Sequence, residues 1–237
     1  NKFILNGEKR FVAGGVGADW FLIYAKTDFK APPHQSLSAF IVERDFGVKV
    51  VEPYKLMGCR GMGAARIIFK DVEVPEENLI GKLNGGAAIF NQMMIPERIT
   101  SAAGAVGLAR CCLELAIRYS AKREAFGQSI SRFQAVNFKV AECATLLDAA
   151  RGLTYHAACR ADAGLPCRKE VSMAKYFSTD ACFKVVSESM QILGGIGYTD
   201  VYPIERFFRD ARLGIIWTGT NEIQKLIISV FDGILFI

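Results

Sequence analysis

Alternating apolar positions fill the first third of the chain. "KFILNGEKRFVAG" reads as a strand, an Asn6-Gly7 turn and a second strand, since Asn-Gly between alternating hydrophobics is a strong hairpin signal. The runs "WFLIYAKT", "LSAFIVE", "VKVVEPY" and "ARIIFKDVEVP" follow, divided by turn formers. Together they predict a compact antiparallel sheet or barrel of at least six strands. After Gly85-Gly86 the period becomes helical. Residues 87 to about 122 predict one long helix; 131–164 predict a second, capped by Ser131 and ended near Gly164; 168–193 predict a third, ended by Gly194-Gly195. Shorter helices are expected over 203–212 and 220–231. Long helices with short loops form antiparallel bundles. The expected fold class is α+β: an antiparallel β domain over 1–84, then an antiparallel four-helix bundle over 85–237.

Composition narrows the class. Hydrophobic residues make up 51% of 237, enough to bury a sizeable core. The net charge of +5 is scattered, with no basic run of the kind that binds nucleic acid. Seven cysteines, an odd number without a CxxC pair, and only His34 and His156 argue against a disulfide framework or metal site. A reducing compartment is expected. No uncharged apolar run reaches bilayer length, and no leader is visible. Asn1 opens within a strand pattern, so a longer parent protein is expected.

Candidate chemistry sits where patterns break. "NQMMIPERIT", residues 91–100, places Pro96-Glu97-Arg98 inside the long apolar helix. A proline there costs about 3 kcal/mol, and a carboxylate among methionines needs compensation. "AGGVGADW" and "LGGIGYTD" are glycine-rich, but neither completes GxGxxG within a βαβ unit, so a Rossmann site is not indicated. Gly194 and Gly195 are sufficiently explained as a helix C-cap. "KREAFGQS" is read either as basic residues complementing a helix end or as an arginine holding a phosphate beside an aromatic.

"QILGGIGYTDVYPIERFFRDAR", "KREAFG" and the terminal "GTNEIQ" together resemble the acyl-CoA dehydrogenase family. "LNGEKRFVAGG" and "KLMGCRGMGAARIIFKDVEVPEENLIG" extend that resemblance through the sheet region. It implies an FAD-dependent desaturase of acyl-CoA thioesters, passing electrons to an electron-transfer flavoprotein, in a homotetramer. It implies a soluble enzyme of the bacterial or archaeal cytoplasm or the mitochondrial matrix. The match starts partway through the family's middle β domain; the N-terminal helical domain lies outside this sequence.

Position by position, the resemblance implies cofactor contacts at Phe11, Val12 and Ala13, along the flavin ring. It implies Arg123 with Phe126 and Gln134, reaching the FAD of a neighbouring subunit. Gln191, Gly194 and Gly195 fall on the adenine side, and Thr220 and Glu222 on the phosphates and ribose. Arg98, Thr218 and Gly219 fall on substrate-binding positions. Three departures stand out. Phe11 and Ala13 replace a common tryptophan and hydroxyl residue, Val201 replaces an acid, and Thr218 stands where most members carry the catalytic glutamate. A threonine hydroxyl cannot take a carbon acid's proton at neutral pH.

Some members carry the base on the long first bundle helix, followed by arginine. Here that position is Glu97, followed by Arg98. Adjacent helical residues do not face each other, so this pair is not expected to neutralise itself. The face of Glu97 holds Phe90, Met93, Met94, Thr100, Ser101 and Gly104, predicting a desolvated carboxylate with raised pKa, suited to a general base. Pro96 is expected to break the hydrogen-bond ladder beside Glu97 and aim it. The alternatives are a non-catalytic relative, a flavin acyl-CoA oxidase, or a structural fragment without flavin.

Overall fold

A computed structural model describes residues 1–231. The last six residues of the expected bundle domain, 232–237, lie outside the described residues. The chain divides into two compact units, Asn1–Met93 and Met94 onward.

The first unit holds two three-stranded antiparallel sheets. One has the order β1 (Lys2–Val12), β5 (Ala65–Pro75), β4 (Lys49–Pro53). The other runs β2 (Trp20–Lys26), β3 (Leu37–Glu43), β6 (Leu79–Ile80). Inward-facing Leu5, Phe21, Ile23, Phe40, Val42, Ile67, Phe69, Val72 and Val74 form its core.

The expected hairpin at Asn6-Gly7 does not form. β1 runs through both residues and pairs along its length with β5. On β5 the buried positions are Ala65, Ile67 and Phe69, then Val72 and Val74, so the alternation slips by one at Lys70-Asp71. Leu5 faces Val72 and Gly7 faces Phe69, which leaves Asn6 opposite a two-residue bulge. Asp71 has φ of 50° there. Its N–H donates to Asn6 Oδ1 at 2.9 Å, and Asn6 Nδ2 donates back to Asp71 Oδ1 at 3.0 Å. The asparagine serves a bulge on the partner strand instead of a turn in its own.

Helix α1 (Gly86–Lys122) starts against β3. A Cβ on Gly86 would lie 2.8 Å from the Ser38 carbonyl carbon, so only glycine permits this approach. By length and hydropathy alone α1 is long and apolar enough to cross a membrane. Its Ala109, Cys112, Leu113 and Ala116 pack in the core of the second unit.

The second unit continues through the two-residue strands β7 (Glu124–Ala125) and β8 (Gln128–Ser129), then α2 (Gln134–Asp162) and α3 (Arg168–Leu193). The shorter α4 (Ile204–Gly214) and α5 (Asn221–Phe231) follow. The bundle is thus built from three long and two short helices among the described residues, the short ones both packing on α3. Ser131 is not the α2 cap. It lies in a 3₁₀ turn, Ile130–Arg132, where its hydroxyl meets that of Ser129 at 2.6 Å, and Phe133 precedes the helix. None of the seven cysteines, all among the described residues, is joined in a disulfide. Burial pushes the Cys143 thiol up to about 11 and that of Cys182 to about 12, so both act as small apolar packing groups.

Candidate active site

The long helix carries Pro96, Glu97 and Arg98 within an unbroken helical run. Pro96 has no N–H for the Gln92 carbonyl, yet the helix continues, with the Thr100 hydroxyl donating to the carbonyls of Pro96 and Glu97 at 3.0 Å each. Glu97 is exposed, and among the described residues no side chain pairs with it. The expected desolvated carboxylate is therefore corrected. The Phe90–Met93 side of this face is itself largely open, with Phe90 at 43% and Met93 at 42% exposure. Arg98 turns the other way, as adjacent helical residues must. It is buried, and its Nε donates to the Thr218 carbonyl at 3.4 Å. Burial, and then the charge of Arg168, push its guanidinium below its ordinary pKa.

Thr218 and Gly219 form a left-handed corner before α5, with φ of 52° and 86°. The left-handed φ favours glycine at the second position, and a Cβ there would also push on Gln224 Nε2, 2.9 Å away. Ser101, one turn beyond Glu97 on α1, donates to the Glu97 carbonyl at 2.8 Å. Its hydroxyl stands 3.4 Å from that of Thr218. The corner thus lies beside the helical turn that bears Glu97.

Buried donors converge on the corner. Gln224 Nε2 donates to the carbonyls of Thr218 at 3.3 Å and Gly219 at 2.9 Å. Lys175 Nζ, from α3, donates to the Gly219 carbonyl at 2.9 Å and to Asn221 Oδ1 at 2.8 Å. Among the described residues no acceptor meets the backbone N–H of Thr218, Gly219 or Thr220. Thr220 caps α5, its hydroxyl accepting from the Ile223 N–H at 3.4 Å. Hydrogen bonds from its own backbone N–H and from Thr220 hold the exposed Glu222 carboxyl below its usual range.

Elsewhere in this unit, Arg123 and Gly194-Gly195 come together. With Tyr119, Ile130 and Ile196 they line a cleft of about 390 Å³. Gly194 has φ of 65°, and its N–H closes α3 on the Gln191 carbonyl. A Cβ on Gly194 or Gly195 would meet nothing within 4 Å, so a ligand can approach this backbone. Phe126 tips the β7–β8 turn at 96% exposure, its ring edge-on to Phe133. Gln134 opens α2, exposed, and neither residue lines the cleft.

In the first unit Phe11 has φ of 55° and stacks on Tyr54 with ring centroids 4.7 Å apart. One ring face is thereby used, while the side chain stays 71% exposed. Val12 and Ala13 line a shallow cleft of about 330 Å³ with Trp20 and Tyr24.

Lys175, Gln224 and Asn221 escaped sequence reasoning, and Ser101 entered it only as part of the Glu97 face. One signal was present. Lys175 shares a helical face with Val171, Ser178 and Cys182, and a lysine on a face otherwise apolar or small marks a buried partner.

An antiparallel β unit leading into a helical bundle, with an open cleft and a donor-lined corner against the first bundle helix, is the frame of a bundle-type enzyme. Residues 84–230 match the family description "Acyl-CoA dehydrogenase, C-terminal domain", and residues 1–72 match "Acyl-CoA dehydrogenase, middle domain". The chain belongs to the acyl-CoA dehydrogenase family, whose members are FAD-dependent. It is 43% identical over 231 residues to an acyl-CoA dehydrogenase of Bacillus subtilis, covering 97% of this chain and 61% of that protein. Among solved structures it is similar to the acyl-CoA dehydrogenase of Geobacillus kaustophilus: TM-score 0.95, 35% identity, 98% of this chain and 61% of that one. It is also similar to a chain solved in work on the electron transferring flavoprotein of Acidaminococcus fermentans: TM-score 0.94, 41% identity, 98% and 61% covered. The chain thus spans about three fifths of the relatives it matches.

Proposed function

We propose that the protein removes two hydrogens from an acyl-CoA thioester to give the trans-2-enoyl-CoA, with Glu97 as the base. The observation that carries this reading is the adjacency of the Thr218 corner and the Glu97 turn, bridged by Ser101. A carboxylate lost at 218 is replaced from the neighbouring helix, in reach of the same substrate carbon.

An α-proton is too weakly acidic for a carboxylate unless the thioester oxygen is held by donors that strengthen as charge develops. The unpaired N–H of Thr218 suits that task, and it survives the loss of the glutamate side chain at this position. Glu97 is exposed in this chain. The acyl group laid against it would exclude water and supply the desolvation that makes the carboxylate a stronger base. Arg98 braces the corner through the Thr218 carbonyl, beside the Thr218 and Gly219 positions proposed to receive the substrate.

The residues fit FAD. The open backbone at Gly194-Gly195 beside Arg123 suits a phosphate-bearing adenosine half. Thr220 and Glu222 at the start of α5 suit a phosphate and ribose. Phe11, Val12 and Ala13 offer a ring-contacting segment in the first unit, and exposed Phe126 and Gln134 fall to a neighbouring subunit of a homotetramer. When bound, FAD supplies the hydride acceptor, and an electron-transfer flavoprotein would take the electrons onward. The site of action would be the cytoplasm of a prokaryote or the mitochondrial matrix. The β and bundle domains are proposed to part near 84/85.

A panel of acyl-CoA thioesters against the full-length FAD-loaded protein, following loss of flavin absorbance without oxygen, tests the activity. No bleaching with any chain length or branching rejects it. Steady peroxide formation without an added acceptor selects an oxidase instead.

A further inference from the structure

Lys175 is fully buried on α3. Among the described residues its ammonium meets no carboxylate directly; it donates to the Gly219 carbonyl and the Asn221 side-chain oxygen. Arg98 opposes its charge, while Asp180 and Glu222 favour it from further off. Burying a cation on neutral acceptors is costly, and a methionine of similar length would fill the space at lower cost. The ammonium therefore calls for a reason beyond packing.

Its geometry supplies one. Asn221, the second partner of Lys175, is itself fastened to α3: its Nδ2 donates to Asp180 Oδ1 at 2.8 Å and to Thr179 Oγ1 at 3.0 Å. Lys175 and Asn221 thus tie the corner to a rigid helix. Arg98 and Gln224 pull on the carbonyl one residue earlier. Three buried side chains hold two successive carbonyls of a left-handed corner, and three successive N–H groups remain unpaired. The Thr218 and Gly219 carbonyls share their peptide planes with the N–H groups of Gly219 and Thr220, so pinning them fixes those two N–H directions and anchors the Thr218 N–H one plane back.

We infer that Lys175 is a positioning residue for the proposed dehydrogenation, holding through the Gly219 carbonyl the last peptide plane of the corner whose Thr218 N–H receives the thioester oxygen as it gains charge. The inference rests on the dehydrogenase reading above. A misplacement of about 1 Å at such a donor costs on the order of 100-fold in rate, and removing a donor outright costs about 100- to 1000-fold. A residue acting through the peptide should fall at or below that range.

The test uses the full-length FAD-loaded enzyme and two variants, Lys175→Met and Lys175→Gln. Two quantities are read: kcat and KM with the best acyl-CoA, and the ionisation of a bound 3-oxoacyl-CoA, followed by its enolate absorbance across pH. With Lys175→Met, kcat should fall roughly 10- to 100-fold with KM changed little, since the donors act on charge that exists only in the transition state. The bound probe should ionise at a pH higher by about one unit or more, corresponding to a tenfold weaker preference for the enolate. Lys175→Gln keeps an N–H donor for the Gly219 carbonyl and should recover part of both effects. Unchanged kcat and enolate ionisation in Lys175→Met overturn the inference. So does a loss of activity that leaves enolate ionisation unmoved, or failure of both variants to fold with FAD, because either result makes Lys175 structural only. A wild-type protein that neither bleaches with any acyl-CoA nor binds the enolate rejects the dehydrogenase reading itself, a result visible before any variant is made.

Discussion

The hydroxyls of Ser101 and Thr218 stand 3.4 Å apart, and Ser101 is hydrogen-bonded to the carbonyl of Glu97. Glu97 and Thr218 are therefore on neighbouring turns in space, although they lie 121 positions apart in sequence. Glu97→Gln in the full-length enzyme should lower the rate of flavin bleaching by at least roughly 1000-fold, in the upper range for loss of a general base, while substrate still binds. Glu97→Gln combined with Thr218→Glu should restore measurable bleaching by moving the base across the gap. Unimpaired bleaching in Glu97→Gln sinks the assignment.

Asn6 and Asp71 exchange two hydrogen bonds across the β5 bulge. Asn6→Ala leaves the Asp71 N–H without that partner at a residue already held in left-handed backbone. Both bonds are solvent-accessible, so the expected cost is modest, about 0.5–1.5 kcal/mol by chemical denaturation. Asn6→Asp should cost as much or more, because it sets two carboxylates face to face.

The helices were legible because their signals are local. The third was expected over 168–193 and is observed as Arg168–Leu193, since a 3.6-residue period between turn formers needs no tertiary help. Asn6-Gly7 misled because the residues that form an isolated hairpin turn equally serve a bulge, and the choice depended on β5 lying alongside. Ser131 misled in the same way, with Ser129, two residues back, taking its hydroxyl. In the site, Arg123 and the glycine pair were named and do converge on one cleft. Glu97 was named with the wrong surroundings. A helical face marks which residues point together, not whether anything covers them. Lys175 left only the hint of a cation on an otherwise apolar or small face, and Gln224 left none, because both take their meaning from the Gly219 carbonyl, 44 residues from the first and five from the second.

Gly195 and Gly197 separate cleft from core. A Cβ on Gly197 would lie 2.9 Å from both Leu193 Cβ and the Met190 carbonyl oxygen, and neither is the movable tip of a side chain. Gly197→Ala should therefore destabilise the fold by about 1–3 kcal/mol, as overpacking does. A Cβ on Gly195 meets nothing. Gly195→Ala should leave the unfolding midpoint nearly unchanged but weaken FAD retention, read as released flavin fluorescence on dilution. Equal FAD retention in Gly195→Ala and wild type would remove this cleft from the cofactor site.

Lys175 should leave a mark on the pH dependence of stability. Burial, followed by repulsion from Arg98, pushes its ammonium from the ordinary 10.5 down to about 8, with Asp180 and Glu222 acting in the opposite sense. Between these two values the unfolded chain holds a proton that the folded chain has released. The unfolded state then binds more protons, so stability rises with pH across that window. Below pH 8 both states are charged, and the full cost of burying the ammonium remains, on the order of 3 kcal/mol for a shift of this size. Tyrosines and other thiols titrate nearby, so the informative quantity is the difference between wild type and Lys175→Met. That difference should move in favour of wild type as pH rises from about 8 toward 10, and should be flat between pH 6 and 7. A flat difference throughout would mean that the folded protein keeps this lysine charged, held by the Gly219 carbonyl and Asn221 strongly enough to offset its burial.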